Sequence, residues 1–238
     1  MHLDLELAPG NSYTDSLTLS SQSDELVHVR AEILDFLIDD DENPQFGAFP
    51  EVASNSCRTF LRVSSRDVDV SKKLDQQIRF TFNPPATIKA GSYHCAVGFT
   101  SQPAPNAKKS GLSISVRVVA SFYISIGKPS YVSEVSALSL QTDPASTTKS
   151  LRAFCVLKNN GNYTFRPIGG LDLMTADGAV RTHVPLRSLP VFPQRGQRFL
   201  LPLSVTPREG ERLRLRINIG NGEVEEASAI VSSQMLAH

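Results

Sequence analysis

Residues 111–127 read GLSISVRVVASFYISIG. Leu112, Ile114, Val116, Val118, Ala120, Phe122, Ile124 and Ile126 fall on one parity, and Ser113, Ser115, Arg117, Ser121 and Ser125 on the other. Successive side chains of an extended chain point to opposite faces, so this is the alternation of a strand and not of a helix. Strands usually run about 5–6 residues. A period-2 run of this length reads as the last strand of one sandwich domain, continuing towards a second. If each large apolar side chain of the row contributes roughly 1.5–3 kcal/mol on burial, the row supplies more than about 10 kcal/mol, an upper figure because the unfolded chain is already partly collapsed.

Towards the N-terminus the same period recurs between turn signals. Leu3, Leu5 and Leu7 share a face, and Pro9-Gly10-Asn11 then turns the chain into a strand carrying Tyr13, Leu17 and Leu19. Between Leu26 and Ile38 the apolar parity switches from Val27, Val29, Ala31 and Ile33 to Leu34, Phe36 and Ile38. A bulge or a change of sheet produces such a switch. CRTFLRV from Cys57, the stretch Gln76–Asn83 and SYHCAVGFT from Ser92 follow. With residues 111–127 this makes about seven short strands, the pattern of an immunoglobulin-like sandwich.

Beyond Lys128-Pro129 the scheme repeats. Strands are expected near Leu138–Leu140, Ser150–Leu157, Phe165–Met174, Arg198–Val205, Leu213–Ile219 and Val224–Val231. Asp177-Gly178 and Gly220-Asn221-Gly222 are hairpin signals. Leu186–Phe192 reads as irregular or an edge, since Pro190 and Pro193 cannot donate to a ladder. The tail QMLAH is expected to fray. The expectation is an all-β chain of two immunoglobulin-like β-sandwich domains in tandem, 1–127 and 128–238.

The 24 basic and 24 acidic residues of the 238 cancel. A chain that grips phosphate backbones shows a basic excess, so no nucleic-acid partner is expected, and Lys72-Lys73 and Lys108-Lys109 read as solvated loop charges. No apolar run reaches the 18 or so residues of a membrane span. MHLDLELAPG has no basic segment leading into an apolar core, so no signal peptide is read there. That leaves a cytosolic protein or a mature exported domain, periplasmic or extracellular. The strand pattern starting at once favours the second.

Cys57, Cys95 and Cys155 have no metal-ligand spacing. Cys57 opens one strand and Cys95 sits inside another. They are either bridged, which the chain-entropy model values on the order of 4 kcal/mol and which implies an oxidising compartment, or two buried thiols. Cys155 reads as a buried free thiol.

Catalysis requires converging groups, and their usual traces are missing: there is no Gly-x-Ser-x-Gly, no phosphate-binding glycine loop and no His-Glu-x-x-His. Neither a catalytic residue nor a cofactor is expected. His94 and Cys95 are neighbours on a strand and so face opposite ways. His2, His28, His183 and His238 stand singly. Asp39, Asp41 and Asn43 have the one-three-five spacing of calcium ligands, but Pro44 and Pro50 occupy the positions where an EF-hand loop needs its glycine and its bidentate glutamate. No metal site is expected. Asn162-Tyr163-Thr164 matches a glycosylation acceptor. Arg117, alone among serines, is either an exposed cross-strand partner or an anchor for a partner's carboxylate.

CRTFLRVSSRDVDVSKKLDQQIRFTF, from Cys57, and LSISVRVVASFYISIGKP, from Leu112, resemble the periplasmic pilus-assembly (PapD-like) chaperones. In that family the long strand completes an unfinished pilin subunit by strand addition, through main-chain pairing and side-chain pockets. The resemblance implies Leu112, Ile114, Val116 and Val118 as donor residues and a pilin-like subunit as partner; Arg117, as a carboxylate anchor, completes the expected partner-binding set. The family's anchors for the subunit's C-terminal carboxylate, an Arg on the first strand and a Lys on the long one, have no counterpart: LDLELA contains no Arg, and Ser121 stands at the Lys position. A second resemblance, over LELAPGNSYTDSLTLSS, NPPATIKAGSYHCAVGFTS, LKNNGNYTFRPIGGLDLMTADGAV and PVFPQRGQRFLLPL, is to the paired immunoglobulin-like domains of WxL-associated bacterial surface proteins. That resemblance implies a structural or adhesive role, with peptidoglycan or a surface protein as partner.

Overall fold

The structure, a computed structural model, describes residues 1–102, 114–143 and 150–237. Leu112 and the Lys108-Lys109 pair lie outside the described residues. Contacts divide the chain into two compact units, one of Met1–Leu37 and Phe46–Lys128, the other of Ile38–Gln45 and Pro129–His238. Each is an all-β sandwich of the immunoglobulin kind.

The strands up to Lys128 are β1 (His2–Leu7), β2 (Tyr13–Leu19), β3 (Val27–Ile38), β4 (Pro44–Gly47), β5 (Leu61–Val63), β6 (Asp67–Val70), β7 (Gln76–Phe82), β8 (Gly91–Ser101) and β9 (Arg117–Ile126); all lie in the first unit except Ile38 at the end of β3 and Pro44 and Gln45 of β4. One sheet has the order β1-β9-β8-β3-β4, with β6 also paired to β3, and the other has the order β2-β7-β5. β1 runs parallel to β9. The inward rows of β7 and β9 meet between the sheets, where the Phe122 ring lies 5.0 Å from that of Phe80 and 5.2 Å from that of Phe82. Such tilted and edge-on pairs add to plain area burial. Cys57 and Cys95 form a disulfide inside this core, with Cα atoms 5.3 Å apart.

The parity switch of β3 has a definite cause. β3 pairs with β8 as far as Leu34 opposite Ala96, and Leu34, Asp35 and Phe36 are then buried in succession. A strand buries successive residues only where both of its faces are covered. A 3₁₀ turn over Pro50–Asn55 lies against β8 and contributes the buried Val52. Under this cover His94 is buried edge-on to Phe36, ring centroids 5.1 Å apart.

The second unit contains β10 (Ser133–Thr142), β11 (Leu151–Asn159), β12 (Ile168–Met174), β13 (Val180–Pro185), β14 (Gly196–Pro202), β15 (Arg212–Asn218), β16 (Val224–Ile230) and a short helix α1 (Ser233–Leu236). Its sheets are β10-β11-β14 and β13-β12-β15-β16. Leu157 and Phe199 pack with Leu171, Leu173, Leu213 and Leu215 in its core. Burial first, and the Glu42 carboxylate second, push the Cys155 thiol up to about 12, so it stays protonated and unreactive. Part of the tail expected to fray, Gln234–Leu236, lies instead in α1. Ser232 Oγ accepts the Met235 N–H at 3.3 Å, a helix N-cap, and Met235 and Leu236 pack on the core.

Residues 38–45, expected within the first domain, group with the second unit. Asp39 turns this segment: its carboxylate accepts the Asn43 N–H at 2.8 Å, the Asp41 N–H at 3.0 Å and Gln45 Nε2 at 2.7 Å. These bonds, the one from Asn43 foremost, hold the Asp39 carboxyl below its usual range. The first residue of the one-three-five spacing thus serves a turn, its carboxylate accepting three N–H groups. Glu42, at φ +64°, is buried and accepts Arg187 Nη1 at 2.7 Å and the Leu200 N–H at 2.9 Å. Glu42→Ala should leave that β14 N–H without its acceptor and lower the second unit's stability by about 1–3 kcal/mol. Urea unfolding reads this, and an unchanged midpoint would contradict the role given to Glu42.

Candidate functional site

The apolar row that forms the floor of the first core leaves the sandwich partway along. Ala120, Phe122, Ile124 and Ile126 are buried, whereas on the same parity Val118, Val116 and Ile114 are 58%, 56% and 74% exposed. The regular strand is accordingly shorter than the alternation. β9 begins at Arg117, and residues 114–116 continue outward without ladder pairing, held to β8 through Ser101: its N–H donates to the Val116 carbonyl at 2.9 Å, and its Oγ accepts the Val116 N–H at 2.9 Å. One side of β9 is paired with β8 from Thr100 opposite Arg117 to Gly91 opposite Ile126. On the other side β1 pairs it only from Ser121 onward. Among the described residues no strand lies along that side of 117–120.

The uncovered side chains line a groove of about 1140 Å³. Leu19, Leu26, Val29 and Phe99 are also in its lining, with Val116 and Val118. Three of the expected partner-binding residues, Ile114, Val116 and Val118, thus come together on one groove, and Leu112 lies outside the described residues. Arg117 points elsewhere: its Nε donates to Thr100 Oγ1 at 2.9 Å and its Nη2 lies 3.6 Å from Glu32 Oε2. This is the cross-strand arrangement. Alternation alone did not mark Leu26, which follows a polar loop and stands exposed in the groove's lining.

At the groove's rim, His28 Nδ1 lies 2.8 Å from Asp69 Oδ1 and its Nε2 lies 3.6 Å from Asp67 Oδ1. β3 and β6 set this register, with His28 opposite Asp69. The hydrogen bond to Asp69, with smaller help from Asp67, raises the His28 pKa above its usual 6.5 against a lesser opposing effect of burial. A histidine raised in the folded state stabilises it fully below the unfolded pKa and loses that contribution as pH rises through the folded pKa. A ring titration followed by NMR should show His28 titrating above 6.5, and Asp69→Asn should bring it back down. No change on Asp69→Asn would contradict the pairing.

Among the described residues no cluster of His, Cys, Asp and Glu is arranged to hold a metal, and no helix is long and apolar enough to cross a membrane. The groove has an apolar floor, a free backbone edge and a rim of charges. Such a surface is suited to binding another chain.

No family model matches this sequence, and no curated protein does either. Among solved structures the chain is similar to the class 5 fimbriae chaperone CfaA, at 14% identity and a TM-score of 0.49 over 95% of each chain. It is similar to the CupB2 chaperone of Pseudomonas aeruginosa, at 14% identity and a TM-score of 0.41 over 92% of this chain and 93% of that one. A third is the chaperone–adhesin pre-assembly complex CsuC–CsuE of Acinetobacter baumannii, at 12% identity and a TM-score of 0.45 over 94% of each chain. The WxL resemblance finds no support in these comparisons. Over nearly its whole length the chain is similar in fold to PapD-like fimbrial chaperones.

Proposed function

We propose that this chain is a non-catalytic protein-binding module of the bacterial cell envelope, chaperone-like, which offers the open side of β9 and residues 114–118 to a partner's strand. The observation that carries the proposal is the abrupt loss of cover along one apolar row: the side chains from Ala120 onward are core, and Val118, Val116 and Ile114 are not. An apolar row beside an unpaired backbone edge is an aggregation hazard unless a partner covers it. Strand addition satisfies both needs, since the edge supplies main-chain hydrogen bonds and the row supplies side chains for pockets. A partner suited to this surface is an immunoglobulin-like subunit, pilin-like, that lacks one strand. The Cys57–Cys95 bridge supports an oxidising compartment such as the periplasm.

The experiment is co-expression with a strand-deficient subunit encoded beside this chain in its genome, with recovery of a soluble complex as the readout. Val116→Asp should abolish the complex and leave the unfolding midpoint of the free chain unchanged. An undiminished complex would overturn the edge reading. Sedimentation of the purified chain with peptidoglycan, unaffected by the same variant, would shift the assignment to a surface-adhesive protein.

A further inference from the structure

A second groove of the first unit, of about 730 Å³, lies between β3, the segment 53–59 and β5. Four guanidinium groups line it, Arg30, Arg58, Arg62 and Arg66, and no lysine does. Its two carboxylates are committed. Asp35, buried, accepts Ser56 Oγ at 2.5 Å and Arg58 Nη1 at 2.7 Å, and Glu32 faces Arg117 at 3.6 Å. Asp67, the cross-strand neighbour of Arg30, sits beside His28 at 3.6 Å. No carboxylate of the described residues lies within ion-pair distance of Arg30, Arg62 or Arg66.

The fold ties down the Arg66 backbone and the Arg62 side chain. The Arg66 carbonyl accepts the Ala31 N–H at 2.6 Å, which ties its backbone to β3. Arg62 Nη1 donates to the carbonyls of Thr59 and Leu61 at 3.3 and 3.0 Å, which fixes one corner of its guanidinium and leaves its other N–H groups without an acceptor among the described residues. Ile33 and Val63, both half-buried, give the groove an apolar wall.

We infer that this arginine groove binds an acidic peptide segment of a partner protein, through Arg30, Arg62 and Arg66. Guanidinium forks match carboxylates two bonds at a time, which lysine cannot do. The apolar wall suits peptide side chains and has no counterpart in the needs of a bare phosphate. A chain of zero net charge with no basic stripe lacks the electrostatic reach that a nucleic acid demands. Arg30 also lines the first groove, whereas Arg62 and Arg66 line only this one, so variants of Arg62 and Arg66 test the inference separately from the strand-addition reading.

The test is fluorescence anisotropy of labelled hexaglutamate with the full chain at low and at physiological salt. Binding that weakens with salt is expected, and the double variant Arg62→Gln, Arg66→Gln should weaken it by about tenfold or more. Both side chains are exposed, and an unchanged unfolding curve verifies that the variant is folded. Three comparisons bound the result. Arg208→Gln with Arg212→Gln, the same charge change in the second unit, should leave binding intact, as should Val116→Asp. An equal loss with the second-unit pair, no binding of hexaglutamate, or tighter binding of an oligothymidine than of the peptide would each overturn the inference.

Discussion

Replacing Cys57 and Cys95 together by alanine should lower the stability of the first unit by about 2–5 kcal/mol, among the largest effects any change to this chain will have. The bridge joins residues separated by 38 positions. A cross-link over a loop of that length removes chain entropy from the unfolded state worth on the order of 4 kcal/mol. Both sulfurs are wholly buried, so their loss adds a small cavity cost in the same direction. Guanidinium unfolding should show a lower midpoint and a steeper dependence on denaturant, because the uncrosslinked chain exposes more surface when unfolded. The thiol count gives an independent check. The native protein should offer no reactive thiol, since Cys155 is buried and pushed up to about 12, and unfolding without reductant should release one. Three thiols on unfolding, or a stability change below about 1 kcal/mol, would contradict the bridge and remove the support it gives to an oxidising compartment.

The alternation of residues 112–126 marks a face, but alternation does not report where the opposite sheet ends. The inward row of β9 is core from Ala120 to Ile126 because Phe80 and Phe82 of β7 lie over it, and nothing in the local sequence marks Val118 as the first residue beyond that cover. For the same reason a burial sum over all eight apolar residues of the row overstates what the row contributes to folding. His94 illustrates the converse. It stands on the outward parity of β8, yet the turn over Pro50–Asn55, far away in sequence, covers it. Segment 38–45 was legible as an acidic turn but not as part of the second unit, because that depends on one buried carboxylate, Glu42, meeting Arg187 and an edge N–H. The arginine groove was invisible because Arg30 lies far in sequence from Arg58, Arg62 and Arg66, and the strands that carry Arg30 and Arg62, β3 and β5, belong to different sheets. Turn chemistry was more readable, since glycine and asparagine act within a few residues: Gly178 and Gly220 both adopt the positive φ that their turns need.

Two substitutions on that one apolar row should therefore behave oppositely, although a sequence pattern treats them alike. Phe122→Ala should cost about 3–5 kcal/mol, the range for a large aromatic removed from a packed core. Its ring is fully buried and meets those of Phe80 and Phe82, and the strands on either side, β1 and β8, leave little freedom for collapse into the void. Val118→Ala, four residues earlier on the same face, should change stability by less than about 0.5 kcal/mol, because its side chain is 58% exposed and leaves no cavity. Chemical denaturation of the two single variants separates these cases directly. The contrast also bears on function, since a branched apolar side chain stands exposed at a position where folding gains little from it. Should Val118→Ala prove as damaging as Phe122→Ala, the row would be core throughout, and residues 114–118 would have no free face to offer a partner.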